Sequence, residues 1–310
     1  MKFLIVDDLH PSIFDYLKKA GVEWDYEPTI AASAVKDRLI GYEGLIVRSK
    51  VFVDEEMVKH SALKVIARAG AGVDNIDENA LDKKGITLIN APEGNCDAVG
   101  EHAIGMILAL LNNFRKSDQE LRRHEWIREG NRGYELSSFT VGVIGYGHMG
   151  KALCKRLVAF GCKVIAYDQQ SLTSVHEGVR MVSLEELKQE TDILSLHIPL
   201  LKENENLITT SFIKGFEKDI WLINTSRGKV VKTEDMLPLL DTGKIKGAAL
   251  DVWENENPSS FTEAEKTMFD RLLSLNQVMM TPHVAGWTFE SYRKISETIG
   301  SKILDWVNKS

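Results

Sequence analysis

Apolar residues along this chain fall into short β-branched runs separated by amphipathic stretches, the alternation of a parallel sheet covered by helices. In the first third, Phe3–Val6, Val22–Tyr26, Gly44–Val47, Lys64–Ala67 and Thr87–Ile89 predict strands. Between them, Ser12–Lys19 and Ala34–Leu39 carry helical periodicity. A second series begins at Thr140, with strands predicted at Val141–Ile144, Lys163–Tyr167, Asp192–Leu196, Ile220–Ile223, Lys246–Leu250 and Gln277–Met280. Two longer helical patterns sit at the joins: Asp97 to about Arg122, with Asp97 as N-cap, and Thr288 to about Val307. The pattern predicts an α/β chain of two doubly wound parallel-sheet domains with a cleft between them. Residues 1–96 plus 284–310 form the first domain and 97–283 the second. The chain leaves one domain, builds another and returns, so it crosses twice and makes a hinge. The acidic stretch Glu254–Glu265 is the most loop-like.

Composition narrows the class. A chain of 310 residues with 44% apolar and 27% charged residues suits two globular domains. Three cysteines, Cys96, Cys154 and Cys162, lack the paired spacing of a disulfide framework, and Cys154 and Cys162 read as core fillers. The longest apolar stretch, Ala103–Leu111, is about half of what a bilayer requires. The N-terminal apolar run is too short for a signal sequence and ends in Asp7-Asp8, so it reads as a strand and the expected location is the cytoplasm. A net charge of −7 gives no global footprint for nucleic acid or a membrane. No metal site is expected, and an anionic substrate needs a local cation.

The cofactor signal starts at Val141, where a strand runs into Gly145-Tyr146-Gly147-His148-Met149-Gly150 and then a helical pattern, Lys151–Phe160. Gly145 permits the tight turn, Gly147 lets backbone approach a pyrophosphate, and Gly150 lets the helix pack on the strand. The helix N-terminus offers free N–H groups and a positive dipole end to phosphate. The next strand ends in Asp168, where an acid hydrogen-bonds both adenine-ribose hydroxyls and repels a 2′-phosphate. The expected cofactor is NAD.

Three further segments follow strands: Asn224-Thr225-Ser226-Arg227-Gly228, Asp251-Val252-Trp253-Glu254-Asn255-Glu256 and Thr281-Pro282-His283-Val284-Ala285-Gly286. Open α/β sheets bind ligands at this strand edge. Reduction of a 2-oxo acid needs a hydride donor, a proton donor for the ketone oxygen and a cation for the carboxylate. Arg227 can hold a carboxylate bidentately, His283 can exchange the hydroxyl proton, and Glu256 favours the imidazolium form. Singly, each has a bland reading as a surface ion pair, a turn residue or a solvated acid; together they point to catalysis.

With these segments the chain resembles the D-2-hydroxyacid dehydrogenase family, and within it the phosphoglycerate dehydrogenases, over nearly its whole length. The resemblance implies a flavodoxin-like substrate-binding domain and a Rossmann NAD-binding domain, with Arg227, Glu256 and His283 catalytic. It implies cofactor contacts at His197, Pro199, Thr225, Ser226, Asp251, His283 and Gly286, Asp251 lying at the nicotinamide end. Lys202 stands near a position where relatives often carry Thr. In Arg68–Asn75 the backbone N–H groups at Ala71 and Gly72 would hold the substrate carboxylate. Asn95 closes a matching Asn-x-Pro-x-x-Asn segment, and Glu101-His102 follows. Arg48-Ser49-Lys50 resembles the segment whose Arg binds a substrate phosphate, with two solvated basic side chains as the bland alternative.

The reading that follows is NAD-dependent oxidation of 3-phosphoglycerate to 3-phosphohydroxypyruvate, with a glyoxylate or hydroxypyruvate reductase as the alternative and an NAD(H)-sensing co-repressor as the remote one. Trp287 stands where relatives often carry a small residue, and either narrows the substrate pocket or packs the hinge. The resemblance also implies a homodimer through Asn112–Gly133, where Arg128 is a candidate for reaching a neighbouring active site. The chain ends at Ser310, and inhibition by serine through a C-terminal regulatory domain is not expected.

Overall fold

The computed structural model describes residues 1–170 and 175–309. The chain divides into two compact units, Met1–Cys96 with Trp287–Ser310, and Asp97–Gly286.

The first unit holds five parallel strands: β1 (Lys2–Ile5), β2 (Glu23–Tyr26), β3 (Gly44–Val47), β4 (Val65–Arg68) and β5 (Thr87–Asn90), in the order β2-β1-β3-β4-β5. β3 is buried along its length, and Phe3, Leu4 and Ile5 of β1 are equally dry. Strands buried on both faces read as continuous apolar runs, which made them visible in the sequence. Helix Phe289–Lys309 covers one face through Ile295, Ile299 and Ile303.

The second unit holds seven parallel strands: β6 (Thr140–Ile144), β7 (Lys163–Tyr167), β8 (Val179–Met181), β9 (Ile193–Leu196), β10 (Ile220–Asn224), β11 (Ile245–Leu250) and β12 (Val278–Met280). Their order is β12-β11-β10-β9-β6-β7-β8. The order reverses direction between β6 and β9, the switch point where such sheets open a crevice beyond their carboxyl ends. Separate apolar cores fill the two faces of this sheet. Cys154 and Cys162 are buried in one of them; burial pushes the Cys154 thiol up to about 12 and the Cys162 thiol up to about 11.

Four expectations are corrected. β8 has no counterpart in the predicted strands, because three residues with Arg180 exposed at the centre carry too little apolar signal. The single helix expected from Asp97 to Arg122 is two, Cys96–Leu111 and Phe114–Arg122. The break falls at Asn113, whose φ of 53° is left-handed and ends the helical ladder. Asp97 lies inside the first turn rather than before it, and its carboxylate meets Arg156 at 3.1 Å. The acidic stretch Glu254–Glu265 is not all loop: Thr262 and Glu265 form a capping box that starts helix Glu263–Ser274.

Leu222 is fully buried on central strand β10. Truncation of Leu222 to Ala should cost about 2–5 kcal/mol, seen as a lower urea midpoint for the unfolding of the second unit.

Candidate active site

The glycine loop after β6 has the shape its spacing implies. Gly145 takes φ 94°, and a Cβ there would lie 2.3 Å from the His197 carbonyl oxygen. A Cβ on Gly150 would lie 1.9 Å from the Gly145 carbonyl oxygen, so only glycine lets the helix seat on the strand. A Cβ on Gly147 would meet nothing within 4 Å. That open side lies at the N-terminus of helix His148–Ala159, where N–H groups need acceptors. Tyr146 turns its ring into the core, and its hydroxyl accepts from the His176 N–H at 2.9 Å; its share in the loop is backbone. His148 is exposed and Met149 half-buried at the start of the helix.

Beside the loop is a cavity of about 290 Å³, bounded by Gly145, Gly147, Asp168, His197 and Pro199 among others. Ile198, Leu201, Leu207 and Phe212 give it an apolar wall suited to an adenine ring. The sequence reading missed these last three because apolar side chains near helix starts look like ordinary core. Asp168 accepts from the N–H groups of Tyr146 at 2.7 Å and Gln170 at 2.8 Å, which fixes its carboxylate at the cavity edge. Ser195 and His197 Nε2 are 2.8 Å apart, while His197 Nδ1 is sealed from solvent with no hydrogen-bond partner among the described residues. Burial pushes the His197 imidazole down to about 4. The Thr225 hydroxyl is likewise buried and unpartnered. Two orphaned polar atoms, an open glycine and an apolar-walled cavity fit a dinucleotide.

The three segments expected to be catalytic leave adjacent strands. Asn224, at the end of β10, accepts from the Ser226 N–H at 3.0 Å and hydroxyl at 2.7 Å, and its amide donates to the Arg227 carbonyl at 3.0 Å. Arg227, half-buried, donates to the Ser226 carbonyl at 2.7 Å. A Cβ on Gly228 would lie 1.9 Å from the Trp253 backbone, so this loop packs directly on the next one. That next loop is anchored by Trp253, whose indole sits among Phe261 and Phe269 and donates to Thr233 at 3.1 Å. Glu256 follows and meets His283 Nδ1 at 2.8 Å. The contact engages Nδ1 and not Nε2.

His283 has φ 54°, a left-handed conformation costly for a side chain of this size. Asp251 holds it there. The buried Asp251 carboxylate accepts from the Thr281 hydroxyl at 2.5 Å and from the N–H groups of Val284 at 2.9 Å and Ala285 at 2.8 Å. The Asp251 carbonyl accepts from the His283 N–H at 2.7 Å. His102 Nε2 lies 3.1 Å from the Thr281 hydroxyl oxygen and 3.6 Å from Asp251, a His–Asp pair beside the His–Glu pair of His283 and Glu256. Since the Thr281 hydroxyl proton goes to a carboxylate, His102 Nε2 is the donor to Thr281. Glu101 pairs instead with Arg156 at 2.9 Å. Gly286 is half-buried at the end of the loop.

The first-unit residues form their own constellation. The N–H groups of Arg48 and Lys50 donate to Asp7 at 2.6 and 3.3 Å, which folds the loop after β3; Ser49 is exposed. The Lys50 ammonium donates to the Pro28 carbonyl. The Arg48 guanidinium lies 3.7 Å from the centre of the Trp287 ring. After β4, Asn90 fixes the Ala71 carbonyl at 2.8 Å, with Ala71 and Gly72 half-buried. Asn95 Oδ1 is buried without a hydrogen-bond partner among the described residues. Among the described residues, no cluster of three or more His, Cys, Asp or Glu could hold a metal, and no helix is long and apolar enough to cross a membrane.

The model of the D-isomer specific 2-hydroxyacid dehydrogenase family, NAD binding domain, matches residues 104–285. A D-3-phosphoglycerate dehydrogenase of Archaeoglobus fulgidus is 33% identical over 98% of this chain and 57% of its own length. The chain thus spans little more than half of that relative. A hydroxypyruvate reductase of Thermotoga maritima is 35% identical over 84% of this chain and 83% of its own. Among solved structures, the D-lactate dehydrogenase of Aquifex aeolicus complexed with NAD and lactic acid has a TM-score of 0.85 at 27% identity, covering 100% of this chain and 96% of that one.

Two expectations concern the cofactor cradle. Gly147→Val should leave the melting temperature unchanged and weaken NADH binding by about 1.5–3 kcal/mol per phosphate hydrogen bond lost, whereas Gly150→Val should unfold the loop; calorimetry and thermal melts separate the two. His197 should stay neutral at pH 5 by NMR. Its folded pKa lies below the ordinary 6.5, so the unfolded chain takes up a proton that the folded chain refuses. Stability contributed by His197 is therefore complete above 6.5 and declines as pH falls toward 4.

Proposed function

Because the chain belongs to the D-isomer-specific 2-hydroxyacid dehydrogenase family, we propose that it oxidises a D-2-hydroxy acid, or reduces the 2-oxo acid, with His283 as the acid–base group. The observation that carries the reading is the 2.8 Å pair of His283 with Glu256 at strand ends adjacent to the Arg227 loop. Bound NAD supplies the acceptor for the hydride leaving C2. Arg227 holds the substrate carboxylate and polarises the neighbouring oxygen. His283 Nε2 takes the hydroxyl proton as the C2–O bond becomes a carbonyl, and Glu256 stabilises the imidazolium that results. In reduction the same proton returns to the oxygen.

The substrate we favour is 3-phosphoglycerate, with Arg48 taking the phosphate and the backbone at Ala71 and Gly72, with Asn95, assisting the carboxylate. Support comes from the unpartnered Asn95 oxygen and from a guanidinium with no hydrogen-bond partner among the described residues. Hydroxypyruvate or glyoxylate is the second reading, favoured by Lys50, whose ammonium is already taken by the Pro28 carbonyl. A homodimer is proposed through the segment around Asn112–Gly133, where Phe114, Leu121, Trp126 and Ile127 are exposed, as is the adjoining Tyr134; Arg128 would lie in that contact.

His283→Ala should lower kcat about 10²–10⁴-fold and leave NADH binding intact; unchanged turnover, or activity only as a binding module, would refute the assignment. NADH oxidation with 3-phosphohydroxypyruvate, hydroxypyruvate and glyoxylate, repeated with Arg48→Ala, decides the substrate. A preference for the phosphorylated acid that Arg48→Ala erases supports the phosphoglycerate reading, and equal rates unaffected by the substitution leave a general hydroxyacid reductase.

A further inference from the structure

We infer that Trp287 is a specificity-determining residue: its ring holds the Arg48 guanidinium as a flat plate whose free edge receives a second anionic group of the substrate. The inference rests on the phosphate reading above and adds the device that makes Arg48 selective.

The charged groups nearest in sequence, Asp7, Asp8 and Lys50, have hydrogen-bond partners other than the Arg48 guanidinium. Asp7 is committed to the Arg48 and Lys50 N–H groups, and the Lys50 ammonium to a carbonyl. Asp8 accepts from the Tyr292 hydroxyl at 2.7 Å and the Tyr26 hydroxyl at 2.9 Å, and these two bonds hold it below the usual carboxylate range. Among the described residues the Arg48 guanidinium has no hydrogen-bond partner; it lies over the Trp287 ring and is buried enough to pull its pKa down from the ordinary arginine value. Asp7 and Asp8 act on this half-desolvated cation through charge alone, so its N–H groups are left to be satisfied by an arriving anion. Trp287 itself is braced edge-on by Tyr292 at 6.2 Å, so Tyr292 ties the plate to Asp8.

Stacking decides direction. With one face covered at 3.7 Å, the guanidinium N–H groups are left to bond in the guanidinium's own plane. A phosphate or carboxylate arriving edge-on can then take two of them in parallel. A residue with no π face at 287 would let the guanidinium tilt and lose that pairing. Trp287 is 53% exposed, so the plate is open to solute.

The test compares kcat/KM for 3-phosphohydroxypyruvate with that for hydroxypyruvate in the wild type, Trp287→Phe, Trp287→Leu and Arg48→Ala, with thermal melts of each. The expected result is that Arg48→Ala abolishes the preference. Trp287→Leu should raise KM for the phosphorylated acid and cut the preference about tenfold, the size of a partly desolvated cation–π contact. Trp287→Phe should retain most of it. If Arg48→Ala removes the preference while Trp287→Leu does not, or if Leu and Phe behave alike, the role of Trp287 is overturned and the phosphate reading stands. If Arg48→Ala changes no preference, the phosphate reading fails and this inference with it. A uniform loss for both substrates that follows a lowered melting temperature would make Trp287 a packing residue only.

Discussion

The buried carboxylate of Asp251 is the constraint on which the proposed chemistry of the second unit depends. It takes three donors from the loop that carries His283, at 2.5, 2.9 and 2.8 Å. Hydrogen bonds to a charged group contribute about 1.5–3 kcal/mol each. A left-handed non-glycine residue costs about 1–3 kcal/mol, so the clamp outweighs the strain at His283. The strain is what aims the imidazole: with φ at 54°, Nδ1 reaches Glu256 and Nε2 is left over. Thr281 and His102 extend the clamp to helix Cys96–Leu111, so the loop is referenced to two elements rather than to its own strand alone.

The same economy operates across the sheet. Parallel strands deliver all their carboxyl ends to one edge, and neighbouring strands deliver neighbouring loops. β10, β11 and β12 are adjacent, so Arg227, Glu256 and His283 leave a common edge although 56 positions separate the first from the last. The glycine loop leaves β6 and His197 leaves β9, the pair that flanks the reversal of strand order. A nucleotide site at the reversal and an acid–base pair a few strands away therefore come from one topology.

Much of this was legible because its signals are local. Buried parallel strands announce themselves as apolar runs, and Gly145, Gly147 and Gly150 each have a steric reason visible from spacing. What was not legible depends on partners remote in sequence. Asn113 looks like any polar residue until its φ ends the helix. β8 is a short edge strand whose pairing with β7, not its composition, defines it. Nothing near Asp251 in the chain says that its carboxylate will clamp residues 281–285. Trp287 raised two readings in the sequence, pocket wall or hinge packing, and only its partner 239 positions away shows the ring lying under a guanidinium.

Charge balance explains why such local devices matter here. The chain carries a net charge of −7 and is proposed to bind anions. Repulsion from distant acids is screened within about 8 Å at physiological salt. A cation at about 4 Å attracts with about 1 kcal/mol in bulk water but about 4 kcal/mol near a protein surface of lower effective dielectric. Half-buried Arg48 and Arg227 sit in the second regime, which the proposed anion binding requires in a negatively charged chain. The condition is that acids beside them be engaged otherwise. Asp7 is bound to backbone N–H groups and Asp8 to two tyrosine hydroxyls, so both act on the Arg48 guanidinium through their charge rather than by hydrogen bonds. Had either acid closed on Arg48, the cation would be neutralised before a substrate arrived; by binding both acids elsewhere, the fold keeps a positive edge available in an acidic protein.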